Sequence, residues 1–149
     1  YYNNFMEIWS ELFMHMTLEA DYAVRIVHCL SENDKKMDAQ KISDETFVSK
    51  RFCLKILRKL VANNIVKSFK GAHGGYIIAR PASEITLREI IETVDGEYKF
   101  SRCLNDDFDC SKNPDKMCPF HCEFDNLSKM VREFLDNITI DGKHKSVDA

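Results

Sequence analysis

The sequence predicts a mainly α-helical protein with one small β-hairpin: a winged helix-turn-helix followed by a long C-terminal amphipathic helix. Three observations carry that expectation. Three short amphipathic segments run in succession and lead into two β-rich runs separated by glycines. Basic charge collects on the third segment and on the hairpin. A final amphipathic segment has an unbroken apolar face.

The elements follow in order. In "TLEADYAVRIVHCLSEN", Leu18, Tyr22, Ile26 and Cys29/Leu30 recur at helical spacing, Ala23 and Val27 widen the stripe, and Thr17 can cap the start. "DAQKISDETF" reads as a short helix, with Asp38 as N-cap and Ile42 facing inward. "VSKRFCLKILRKLVANN" reads as a third, capped by Ser49, with an apolar stripe of Phe52, Ile56, Leu57 and Leu60. Asn63-Asn64 suits its end, because Asn tolerates left-handed geometry. The runs 65–70 and 76–79 flank "GAHGG" as a hairpin that Pro81 closes. "TLREIIETVDG" predicts a further helix, with Thr86 and Glu89 as a capping box and Gly96 as the stop. The last helix presents Leu127, Met130/Val131, Phe134/Leu135 and Ile138.

Charge gives the first functional indication. Residues 35–80 hold eleven Lys/Arg against three Asp/Glu, whereas residues 1–34 hold one against six and residues 81–149 nine against fifteen. A basic middle between acidic ends suits a polyanion contact confined to one segment. A solvated lysine-rich helix face would give the same count. The element order favours DNA: in a winged helix-turn-helix the third helix enters the major groove and the wing touches the backbone or minor groove. Lys50, Arg51, Lys55, Arg58 and Lys59 lie on the third helix, Lys67 and Lys70 on the wing, and His73 at its tip.

The second indication is sulfur. "CLNDDFDCSKNPDKMCPFHC", residues 103–122, contains four of the six cysteines and a histidine. No apolar run approaches the roughly 20 residues that span a bilayer. The start of the chain lacks the pattern of a secretory signal, so a cytoplasmic location is expected. In a reducing compartment these cysteines are expected as ligands or sensors rather than disulfides. Soft thiolates with one imidazole suit an iron–sulfur cluster or zinc. Structural zinc sites usually pair cysteines two to four apart, and only Cys118/Cys122 approaches that. A bare thiol switch stays open. Cys29 and Cys53 lie alone in apolar surroundings and are expected to be buried. No oxyanion-type motif accompanies the Cys/His pair, and "GAHGG" lacks the Gly-Lys-Ser/Thr ending of a P-loop, so no enzyme is expected.

"LEADYAVRIV", "ISDETFVSKRFCLKILRKLVANNIVKSFKGAHGGYIIARP" and "ITLREIIETVDG" resemble the Rrf2 family of bacterial transcription regulators, from about Met16 to about Asn137. The resemblance implies a DNA-binding homodimer with winged-helix subunits and a long C-terminal helix across the two-fold axis. Carried over by position, it implies that Ser49, Lys50 and Arg51 begin the recognition helix and that Lys70 reaches DNA. Gly71, Gly74, Gly75 and Tyr76 match the wing turn. Leu54 stands where the iron–sulfur-biogenesis branch carries a glutamate that discriminates DNA sites, so that branch's site preference does not transfer. The expected DNA contacts are thus Ser49, Lys50, Arg51, Lys55, Arg58, Lys70 and His73.

For the sulfur segment the resemblance implies a cluster held by Cys103, Cys110 and Cys118, with His121 three positions after the third cysteine. Cys122 or Asp21 is the alternative fourth ligand; Asp21 matches a position from which some nitric-oxide-sensing members take a ligand across the dimer. An iron–sulfur cluster is expected, [2Fe–2S] favoured over [4Fe–4S], with zinc less favoured. The sensed signal would be redox state, nitric oxide, or iron or cluster supply. The expected division is an N-terminal extension at 1–15, of native or vector origin; a winged helix-turn-helix at 16–100; a cluster-binding loop at 101–122; a dimerisation helix at 123–141; and a frayed tail at 142–149.

Overall fold

The computed structural model describes residues 16–108, 110 and 118–144; the 1–15 extension and residues 145–149 of the expected tail lie outside them. Helices α1 (Leu18–Ser31), α2 (Ala39–Thr46) and α3 (Lys50–Ala62) come first. Strands β1 (Val66–Phe69) and β2 (Gly75–Ile78) form the hairpin. A 3₁₀ turn, Ala82–Glu84, leads to α4 (Leu87–Asp95). A second, Arg102–Leu104, precedes α5 (Pro119–Asp136). This is a winged helix with a small antiparallel wing.

Each expected cap is made. Thr17, Asp38, Ser49 and Thr86 accept from the amides of Ala20, Lys41, Phe52 and Glu89, three residues on in every case. These bonds satisfy helix N–H groups that have no partner inside the helix. The Thr86 box is only half closed, because Glu89 turns its carboxylate to Arg80 instead. Asn63 caps α3, and Asn64 takes the left-handed conformation, φ 56°.

The core lies where α1, α3 and α4 meet and is filled by Ile26, Leu30, Met37, Ile42, Ile56, Leu57, Leu60, Ile65, Ile85 and Ile90, all essentially inaccessible. Two positions expected inside are not. Leu18 is 61% exposed and Phe52 44%, while Ala20 and Cys53 are fully buried. Helical spacing fixes a face only to within about one residue, or 100°; what packs opposite decides the rest. Close approach to α1 and α3 favours the smaller side chains.

The hairpin pairs Val66 with Ile78 and Phe69 with Gly75. Its glycines are there for space. A Cβ on Gly74 would lie 2.4 Å from the Phe69 carbonyl oxygen, and one on Gly75, at φ 142°, would lie 2.8 Å from the Met37 carbonyl oxygen. Met37 and Tyr76 exchange two backbone hydrogen bonds, 2.9 and 2.8 Å, which pin the wing to the segment before α2.

The C-terminal region departs from expectation. Helix α5 begins at Pro119, inside the stretch expected as loop, and ends at Asp136, short of 141. Proline suits the first helical turn, which has no use for its missing N–H. Beyond α5 the chain turns back along Ile85–Leu87. Leu87 donates to the Ile138 carbonyl and Ile140 to the Ile85 carbonyl, both at 2.9 Å, and Ile140 is buried. These bonds tie the distal end of α5 to the winged-helix unit.

Candidate nucleic-acid interface and sulfur-rich segment

The basic face is built on α3. Cys53, Ile56, Leu57 and Leu60 anchor the helix inward, which leaves Lys50, Arg51 and Arg58 exposed on the opposite side. With Phe52, Leu54 and Lys55 these residues line one open depression. Ser49 begins the helix at its cap. On the wing, Lys67, Lys70 and His73 are all exposed. Lys36 steadies the tip: its ammonium donates to the His73 carbonyl at 2.9 Å and lies 4.9 Å from the centre of the Phe69 ring.

Two lysines of the third helix are otherwise engaged. Lys55 and Lys59 both bond Glu19, at 2.8 and 2.7 Å, and Lys59 also reaches the Val94 carbonyl at 2.9 Å. Bonding to Lys55 and then Lys59 holds the Glu19 carboxyl below its ordinary pKa. Lys59 therefore joins α1, α3 and the end of α4. Lys55 remains half-exposed, and its charge is partly answered within the chain. No local pattern predicts this bridge, since Glu19 lies 36 residues from Lys55.

The sulfur-rich residues follow α4 and run from the second 3₁₀ turn to the first turn of α5. Ser101 caps the 3₁₀ turn that carries Cys103, whose thiol lies 3.3 Å from the Ser101 hydroxyl. Cys103 and Cys110 are partly exposed; Cys118, at the N-cap of α5, and Cys122 are exposed. His121 and Cys122 stand in the first turn of α5. His121 lines a small cavity with Leu104, Lys99, Asp125, Lys129 and Arg132, so the Cys103 turn packs against the helix that carries it. Among the described residues no three Cys, His, Asp or Glu side chains converge as a metal site. Asp21 is ion-paired to Arg25 at 2.7 Å. The donor types of the segment fit a thiolate-held group; the described geometry does not gather them.

The two remaining cysteines differ in kind. Cys29 is buried, and burial followed by a hydrogen bond to Glu45 pushes its thiol up to about 11. Burial also raises Cys53. Neither supplies a thiolate near neutrality.

A compact set of bonds joins the sulfur-rich end to the winged helix. Buried Ser128 donates to the Phe124 carbonyl, 2.8 Å, and accepts from the Phe100 amide, 2.9 Å. Arg132 on α5 grips Glu92 on α4 at 2.6 Å and Glu97 at 2.5 Å, while Arg88 bonds Glu92 at 3.2 Å. Burial alone would raise Glu92. Arg132, the Tyr98 amide and Arg88 outweigh it, and the carboxyl lies below its ordinary pKa.

The outer face of α5 is apolar and uncovered. Phe120, Met130 and Phe134 are each more than 60% exposed, and Leu127 is 37% exposed. Residues 120, 127 and 134 are seven apart, the spacing of a helix-packing seam.

Residues 16–142 match the family model Rrf2, described as an iron-dependent transcriptional regulator. The chain belongs to the Rrf2 family. The regulator IscR of Klebsiella pneumoniae is 30% identical over 129 residues, covering 85% of this chain and 77% of that protein. Among solved structures, T. potens IscR superposes with a TM-score of 0.66 at 23% identity, covering 89% of this chain and 87% of that one. CymR, the global cysteine regulator of B. subtilis, superposes with the same score at 20% identity, covering 87% and 95%. These structures share the winged-helix fold of this Rrf2 protein. Rrf2 regulators are DNA-binding transcription regulators, not enzymes. No described helix is long and apolar enough to cross a membrane.

Proposed function

We propose that this Rrf2 protein acts as a cytoplasmic homodimer whose DNA binding is set by an iron–sulfur cluster held in the sulfur-rich segment. The observation that carries the reading is the position of that segment. Four free cysteines and His121 lie between the winged helix and the first turn of α5, next to the bonds that join Phe100 and Glu92 to α5. Cys103, Cys110 and Cys118 would supply thiolates and His121 the fourth ligand, with Cys122 or the Asp21 carboxylate of the other subunit as alternatives; [2Fe–2S] is favoured over [4Fe–4S]. Such a centre supplies a redox- and iron-sensitive bond between residues that otherwise have little to hold them.

The exposed stripe Phe120–Leu127–Met130–Phe134 supports the dimer. An apolar face of this kind costs solubility unless a partner covers it. Pairing along α5 would present two α3 helices to successive major grooves. Ser49, Lys50, Arg51 and Arg58 would meet the major groove, Lys70 and His73 the adjacent backbone, and Lys55 would contribute once released from Glu19.

A second reading has its own support. Cys118 and Cys122 are free, exposed and four residues apart, which suits a thiol switch, or a zinc-binding regulator, that acts without a cluster. Anaerobic purification separates the readings. About two iron and two sulfide per chain, with a brown colour and an EPR signal on reduction, is expected. Stoichiometric zinc, or no metal with reversible thiol oxidation, would replace the cluster reading.

A further inference from the structure

Phe47 is the one described residue that is both large and apolar and yet left-handed, at φ 57° and ψ 28°. A bulky side chain in that region costs about 1–2 kcal/mol relative to glycine. Burial would normally offset such a cost, but Phe47 is 89% exposed. The residue is thus unfavourable twice over, in its backbone and in its solvation.

Its neighbours hold it there. Thr46 is buried, with its hydroxyl on the Ile42 carbonyl at 2.6 Å. Val48 is buried, and its carbonyl accepts from Ser43 at 2.6 Å and faces the Cys53 thiol at 3.4 Å. Both ends of the α2–α3 turn are fixed, and the ring is held outward on a rigid support. That lowers the ordering cost of any contact it makes.

Location selects the partner. Phe47 lies two residues before Ser49, the cap of α3, and three and four residues before the exposed Lys50 and Arg51 in the sequence. The N-terminal end of a recognition helix is the end that meets base edges. Glu45 and Glu32 border the depression beside Phe47, together with Arg25 and His28. Lys41 pairs with Glu45 at 3.7 Å and Arg25 lies on the same rim, so the depression is of mixed charge. A phenyl ring offers no strong hydrogen bond. The major-groove group that complements it is the C5-methyl of thymine.

We infer that Phe47 is a specificity-determining residue that packs on a thymine methyl at the rim of each half-site. The inference rests on the DNA-facing role of α3 proposed above. The test uses a duplex selected by the full-length protein from a random-sequence pool, with each thymine replaced in turn by deoxyuridine, which lacks only that methyl. One position per half-site should lose affinity about fourfold, the worth of one buried methyl group. F47G and F47N should bind the unmodified duplex more weakly by a similar factor and lose the sensitivity at that position. Their salt dependence should be unchanged, since no phosphate contact is removed. F47N should melt no lower than the unaltered protein, because Asn tolerates the left-handed turn.

A selected duplex with no methyl-sensitive thymine, or one whose sensitivity persists in F47G and F47N, would overturn this inference alone. Failure to select any duplex would overturn the DNA-facing role of α3 and this inference with it.

Discussion

The winged helix and the sulfur-rich segment are held in different ways. In the first, a continuous core of isoleucine and leucine fixes α1, α3 and α4, and four side-chain caps fix the helix starts. In the second, residues 97–108 rest on α5 through one buried serine, the Arg132–Glu97 contact and the tilted rings of Phe100 and Phe124, 5.5 Å apart. Apolar burial is non-directional and always present. Ligand bonds to thiolates exist only when the ligand does. On the proposed reading, the DNA-reading unit is built in advance and the sensing unit is conditional. The difference makes the sulfur-rich end the natural place for a signal to enter.

The largest effect should come from the conditional region. Cys103→Ala, Cys110→Ala or Cys118→Ala should each abolish bound iron and leave circular dichroism unchanged, because none of these side chains belongs to the core. Retention of full cluster absorbance in any of them would remove that residue from the ligand set. Next in size, F134E with M130E should convert the dimer to monomer in sedimentation velocity, since both side chains are exposed on α5. A persistent dimer would place the two-fold axis elsewhere.

The built-in region should respond differently. K50A with R51A should weaken binding to a selected duplex and reduce its salt slope by about two, one for each lost phosphate contact. Folding should be unaffected, because both residues are exposed. An unchanged slope would move the DNA face off α3.

The smallest effect concerns the joint between the regions. Glu92 has a depressed pKa in the folded chain. Its ionised form therefore contributes stability above the unfolded carboxylate pKa, and that contribution is lost as pH falls through the lower folded value. Glu92→Gln should melt lower than the unaltered protein at neutral pH, and the gap should close in acid. A gap independent of pH would mean that Glu92 acts by shape rather than charge.

How far the sequence could be read follows the same division. Thr17, Asp38, Ser49 and Thr86 were legible because a cap is a local rule, acting over three residues. The hairpin was legible because Gly74 meets the local backbone of Phe69, Lys70 and Gly71, whereas the constraint on Gly75 comes from distant Met37. The Glu19 bridge to Lys55 and Lys59, the return of 138–140 along Ile85, and the exposure of Phe52 were not, because each depends on residues distant in sequence. Phe47 was read as the end of a helix, and in the structure it follows that end in a left-handed turn. Nothing local warns of a bulky residue there. The proposed site is legible as a donor set, Cys103 to Cys122, which the described geometry does not gather.

One measurement tests the central claim, that the conditional region governs the built-in one. Affinity for a selected duplex is measured on a single anaerobic preparation, before and after iron is removed by chelation. The account predicts a change of at least about fivefold, the lower end of typical coupling between two sites, which disappears in Cys103→Ala. Equal affinity in the two states would contradict it.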